Sequence, residues 1–142
     1  MRKLGLFALV LLILLATVGT AVAGGAPRVT TLSGAEEVGG GDPDGSGFAK
    51  IWLNAGQGTI CWEISYANLS TAVAAHIHFA PAGVNGPVVV PLNPISGGCT
   101  SASPALIQNI IDHPELYYVN VHTTEYPGGA IRGQLSNRGQ SE

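Results

Sequence analysis

The sequence predicts an all-β domain with one short helix, carried behind a secretory leader. Three observations point there. From Val29 onward, short apolar or alternating runs recur between clusters of Gly, Pro, Asn and Asp, which is strand-and-turn punctuation. Only one stretch has helical period. The first 23 residues differ in composition from everything after them.

The leader comes first. Arg2 and Lys3 precede an apolar run, Leu4 to Val18, and the small-residue stretch Gly19-Thr20-Ala21-Val22-Ala23 follows. A charged start, a short apolar core and an Ala-x-Ala ending make a signal peptide, 1–23, cut after Ala23. The apolar run, about 15 residues, is shorter than the roughly 20 a helix needs to cross the hydrocarbon core. A retained N-terminal anchor is the rival reading. Residues 24–28 form a small, proline-containing linker, 29–136 the folded domain, and 137–142 a polar tail expected to be disordered.

Within the domain the expected strands are Val29–Ser33, Phe48–Leu53, Thr59–Tyr66, Ala74–Phe79, Pro87–Leu92, Tyr117–His122 and Ala130–Leu135. Asn54–Gly58 is the turn of a hairpin, and Tyr126-Pro-Gly-Gly129 a second tight turn. Gly39–Gly47 is a glycine-rich loop. Its Asp42 and Asp44 faintly suggest a calcium loop, but the later ligands are missing, so it reads as a solvated turn. Ser103-Pro104, with Leu106, Ile107, Ile110 and Ile111 behind it, has the cap, first-turn proline and spacing of a short helix ending before Pro114. Seven strands at this spacing predict a β-sandwich with the helix across an open edge.

Without its leader the chain has four basic residues, Arg28, Lys50, Arg132 and Arg138, against nine acidic ones. That balance gives a net charge of −5, which lacks the patch that nucleic-acid binding requires and disfavours anionic lipid. No second apolar segment is long enough for stable membrane insertion. Cys61 and Cys99, in a chain exported from the reducing cytoplasm, are expected to form a disulfide; two free buried thiols are the alternative.

His76-Ile77-His78 lies in an expected strand, so both imidazoles project to one face. His122 ends another strand. If the two strands are neighbours, three imidazoles converge in a set suited to copper or zinc. The same histidines equally suit hydrogen bonds to backbone carbonyls that would fix the loop Ala80–Gly86. His113, at the helix end, reads as a partner of the helix dipole. Arg132 is expected to hold a carboxylate such as Glu125, with guidance of an anion as the other role. Glu36-Glu37 reads as a solvated strand end. There is no Gly-x-Ser-x-Gly elbow, no HExxH and no phosphate-binding glycine loop, so no catalytic residue is assigned.

The segments AHIHFAPAGVNGPVVVPL at 75–92 and YYVNVHTTEYPGGAIRGQL at 117–135, with the opening Leu32-Ser-Gly-Ala-Glu-Glu-Val38, resemble the CHRD domain family, first recognised in chordin. The resemblance spans about 29–136. It implies an immunoglobulin-like β-sandwich or barrel, and through it a faint similarity to copper–zinc superoxide dismutases. On that similarity His76, His78 and His122 match copper ligands, and Arg132 matches the arginine beside the copper. A bridging imidazolate and the zinc ligands have no counterpart, so dismutation is not expected.

The reading is an exported, non-enzymatic binding or interaction module. Its partner would be an extracytoplasmic protein or envelope component. The alternative is a copper-binding protein with a three-histidine site; copper oxidoreductase activity has the least support. The leader gives a direct expectation: N-terminal sequencing of exported protein should start at Gly24, and intact Met1 in a membrane fraction would establish the anchor instead.

Overall fold

A computed structural model of the chain describes residues 25–135. The leader and the polar tail lie outside the described residues. Eight strands are present: β1 (Ala26–Ser33), β2 (Ser46–Asn54), β3 (Thr59–Ala67), β4 (Ala72–Phe79), β5 (Val88–Pro91), β6 (Gly97–Ser101), β7 (Tyr117–Thr123) and β8 (Ile131–Gln134). One helix, α1 (Pro104–Asp112), joins β6 to β7 by way of a 3-10 turn at Pro114–Leu116. Among the described residues no helix is long and apolar enough to cross a membrane.

All seven expected strands are found, and β6 is the addition. The expected all-β sandwich or barrel is realised as one continuous curled sheet, with antiparallel order β5-β4-β7-β8-β1-β2-β3-β6. Inward residues from distant strands nevertheless share one core. Val90 of β5 and Ile77 of β4 join Ile51 of β2 and Ile60 and Trp62 of β3. A flat sheet of this order would hold β5 and β3 far apart, so the sheet curls around its own apolar face.

Alternation explains which residues fill that core. Ala49, Ile51 and Leu53 of β2 point inward while Phe48, Lys50 and Trp52 point out, as the period of two demands. Helix α1 adds Ile107 and Ile110 to the core. Its N-terminus is capped as the sequence anticipates, with the Ser103 hydroxyl accepting from the Leu106 N–H at 3.2 Å, next to Pro104 in the first turn. At the other end the Arg28 guanidinium, from β1, donates to the Ile111 carbonyl at 2.8 Å. A cation on a last-turn carbonyl answers both the orphan acceptor and the helix dipole. The helix packs on the inner face against β2 and β3, and Arg28 ties its C-terminal end to the sheet.

Edge strand β6 has no apolar alternation of its own. It is held by pairing with β3, in which Cys61 and Cys99 stand directly opposite each other and are joined by the disulfide. The loop that this bond closes, 38 residues of sequence separation, corresponds to about 3–4 kcal/mol on the chain-entropy account. The other edge, β5, is flanked by Pro87 and ends on Pro91. A Cys61→Ala, Cys99→Ala double variant should lose about 3 kcal/mol in urea unfolding, and unchanged stability would show that pairing alone holds β6.

Candidate metal centre

The sheet is covered on both sides along β7, where every residue from Tyr117 to Val121 is buried. Its apolar side faces the core. Its other side carries Tyr118, Asn120 and His122, next to His76 and His78 of β4 and to Arg132 and Gln134 of β8. The register sets these neighbours: Ala74 opposes His122, His76 opposes Asn120, and His78 opposes Tyr118. Across the next ladder Asn120 opposes Arg132 and Tyr118 opposes Gln134. This outer layer is polar and is roofed by loop segments.

His76, His78 and His122 converge as the strand alternation anticipates. One ring nitrogen from each lies within 4.8 Å of the other two, and this is the only such group of three or more His, Cys, Asp or Glu among the described residues. His113 is outside it, as expected: it caps α1, its N–H bonding the Asn109 carbonyl, with its ring 3.8 Å from the Glu115 carboxylate.

Neighbouring carbonyls set the tautomers. The His78 Nδ1 lies 2.9 Å from the Gly86 carbonyl and the His122 Nδ1 lies 3.0 Å from that of Pro127. A carbonyl only accepts, so both Nδ1 atoms carry hydrogen and both Nε2 atoms keep a lone pair. The His122 Nε2 uses its lone pair on the Nδ1–H of His76, at 3.1 Å. The His78 Nε2 is buried without a close hydrogen bond, and the Asn120 side chain is its polar neighbour. Such an atom forfeits its hydration with little compensation.

Protons are held off the cluster. Burial, then the repulsion of His122 and His78, pulls the His76 pKa down to about 4. His78 is also lowered, chiefly by burial and with smaller contributions from His122 and Arg132, against the opposing effects of Gly86 and Asn120. Neutral imidazoles are the form that binds a metal. Three nitrogens at about 2.0–2.1 Å from one ion are about 3.6 Å apart when trigonal, so the observed spread closes when the rings move together by about 1 Å. Three convergent imidazoles, those of His78 and His122 with their Nε2 lone pairs turned to the cluster, fit a transition-metal ion.

Arg132 has a different place from either sequence expectation that involved a charged partner. It is 1% exposed. Its N–H groups donate to the carbonyls of Val84 and Pro81, both at 3.0 Å, so it takes carbonyl partners; Glu125 is exposed, and no open face of the guanidinium is left to guide an anion. It sits over Tyr118, its Cζ 3.4 Å from the ring centre, and Tyr118 stacks in turn on His78 at 4.7 Å and 8°. Gln134 also donates to the Ala80 carbonyl at 2.8 Å. The loop from Ala80 to Gly86 is thereby pinned over the histidines. Gly86 is required there, because a Cβ would strike the Phe79 carbonyl.

Two residues of this layer went unrecognised in the sequence. Glu37, expected to be solvated, is buried instead; burial raises its pKa, against the Arg132 charge and an Asn120 hydrogen bond that lower it. It fits because Gly129, at φ 139°, has no Cβ to collide with its carboxyl. Asn120 is the other, and its only trace in the sequence is a polar residue amid the apolar run of β7. Asp42, in the expected solvated turn, is likewise buried, its N–H bonding the Ala130 carbonyl at 2.8 Å.

Comparison with known proteins gives one match. The family model of the CHRD domain aligns with residues 28–135. No curated protein and no solved structure matches the chain, so the faint dismutase similarity is not borne out. The aligned span takes in all but the first residues of the sheet, together with α1, the disulfide and the three clustered histidines, and the chain belongs to the CHRD domain family.

Proposed function

We propose that this CHRD domain is a non-enzymatic binding module of an extracytoplasmic compartment and that its His76, His78 and His122 hold a copper ion. The observation that carries the metal reading is the buried Nε2 of His78, without a close hydrogen bond and in reach of two other imidazoles. A buried imidazole nitrogen that makes no close hydrogen bond within the protein gains most from a ligand that takes its lone pair. Imidazole donors suit copper. When bound, copper supplies the cluster with a shared positive centre and a position for a further ligand.

The chain's own residues prepare that site. Gly86 and Pro127 fix which nitrogen of His78 and His122 faces the ion. His76 releases the His122 lone pair by moving its proton from Nδ1 to Nε2, which changes no net charge. The module reading rests on family membership. An extracytoplasmic protein or an envelope component remains the proposed partner, and the disulfide and the leader agree with that compartment.

Copper titration of the metal-free protein tests this. His76→Ala, His78→Ala and His122→Ala should each weaken binding by about a hundredfold or more, since loss of a ligand exceeds the 10–100-fold cost of losing an outer hydrogen bond. His113→Ala should bind as the parent does. Equal, weak binding by parent and His76→Ala would end the metal reading.

Acid provides a second check. His76 and His78 resist protonation in the fold, while in the unfolded chain they take up a proton near pH 6.5. The unfolded state therefore binds more protons as pH falls, and their contribution to stability, full above about 6.5, is lost progressively toward pH 4. Urea midpoints of metal-free protein should drop over that window, and His76→Ala should flatten the drop.

A further inference from the structure

We infer that the three-histidine centre selects its ion by charge, taking cuprous copper in preference to cupric copper or zinc, because the buried guanidinium of Arg132 is stacked behind His78 through the ring of Tyr118. The inference rests on the proposal that the cluster holds a metal.

Three features of the layer lead to it. The donors are neutral imidazoles with no carboxylate in the group, so the centre carries the whole charge of its ion. Cuprous copper puts one positive charge there; cupric copper and zinc put two. His78 is buried and its two partners are half-buried, and the cost of withdrawing an ion from water rises steeply with its charge.

The third feature is Arg132. A guanidinium keeps its proton in proteins, and at 1% exposure water screens this one poorly. Its Cζ lies 3.4 Å from the Tyr118 ring centre, and that ring in turn stacks, 4.7 Å away and nearly parallel, on the ligand His78. A fixed charge on the order of 10 Å from the ion, at an effective dielectric near 20, disfavours each added positive charge by about tenfold in affinity. The clamp on the Pro81 and Val84 carbonyls, at 3.0 Å each, holds that charge in place. Glu37 is the opposing charge in this layer; Arg132 acts on it electrostatically and it hydrogen-bonds Asn120. It moderates the guanidinium's field, so removing it should sharpen the selection.

The experiment measures three dissociation constants for metal-free exported protein at pH 8: cuprous copper, kept reduced by ascorbate without oxygen and competed against a chromogenic cuprous chelator, then cupric copper and zinc against their own competitors. The parent should bind cuprous copper at least about tenfold more tightly than either divalent ion. Arg132→Gln should narrow that ratio by about tenfold, and Arg132→Lys, which keeps the charge while breaking the forked clamp, should largely preserve it. Glu37→Gln should widen it, and serves where Arg132→Gln does not fold. A purely structural role for Arg132 would weaken all three ions together and leave the ratio fixed. Equal or tighter binding of the divalent ions by the parent, or a ratio that Glu37→Gln leaves unchanged, would overturn charge selection while leaving the metal site standing. Failure to bind any of the three ions would remove the site itself.

Discussion

A full positive charge buried on the outer face of a β-sheet has to be answered by something, and in this domain the loop between β4 and β5 answers it, with the Glu37 carboxyl as the nearby opposite charge. The carbonyls of Pro81 and Val84 replace the water that Arg132 has lost. A buried guanidinium without such partners would cost several kcal/mol, so the loop's course follows from the charge beneath it. Once the loop is laid over the sheet, its Gly86 carbonyl reaches His78 and its Gly86 N–H reaches the Tyr118 hydroxyl at 3.3 Å. The geometry of the histidines is thus a consequence of how one arginine is solvated.

The domain has two interiors with different physics. Between the curled sheet and α1 the filling is aliphatic and aromatic, and its stability comes from area removed from water. Between the sheet and its covering loops the filling is Arg132, Glu37, Asn120, Tyr118 and His78, and its order comes from hydrogen bonds and stacking, which fix positions rather than merely exclude solvent. Strand β7 belongs to both, which is why it is buried along nearly its full length while β2 and β3 alternate.

This division also separates what was legible in the sequence from what was not. The strands of the apolar interior announce themselves: Ala49, Ile51 and Leu53 alternate, and Leu106, Ile107, Ile110 and Ile111 carry a helical period behind a Ser-Pro start. The His-x-His pair was legible for the same reason, since a period of two places both rings on one face, and the convergence with His122 needed only the β4–β7 pairing that the structure supplies. Strand β6 was not legible, because Gly97-Gly98-Cys99-Thr100-Ser101 has no periodicity and owes its place to the partner strand and the bond at Cys61. Glu37 and Arg132 were misjudged in their partners because a residue's burial in the polar layer depends on loops whose course no local pattern encodes. Glu36 and Glu37 are adjacent in sequence and alike in chemistry, yet one is in water and the other lies beneath Gly129.

The two ends of the sheet finish in different ways with a common result. An open β-edge is a template for a neighbouring chain, and fibrous association begins at such edges. At one end the strand is four residues long and bounded by prolines that cannot donate to an incoming ladder. At the other a five-residue strand, rich in glycine, is stapled to its neighbour by the cystine. Neither end offers a long, flat stretch of free peptide groups, so the folded domain can accumulate to high local concentration, crowded against its own copies, without seeding cross-β growth.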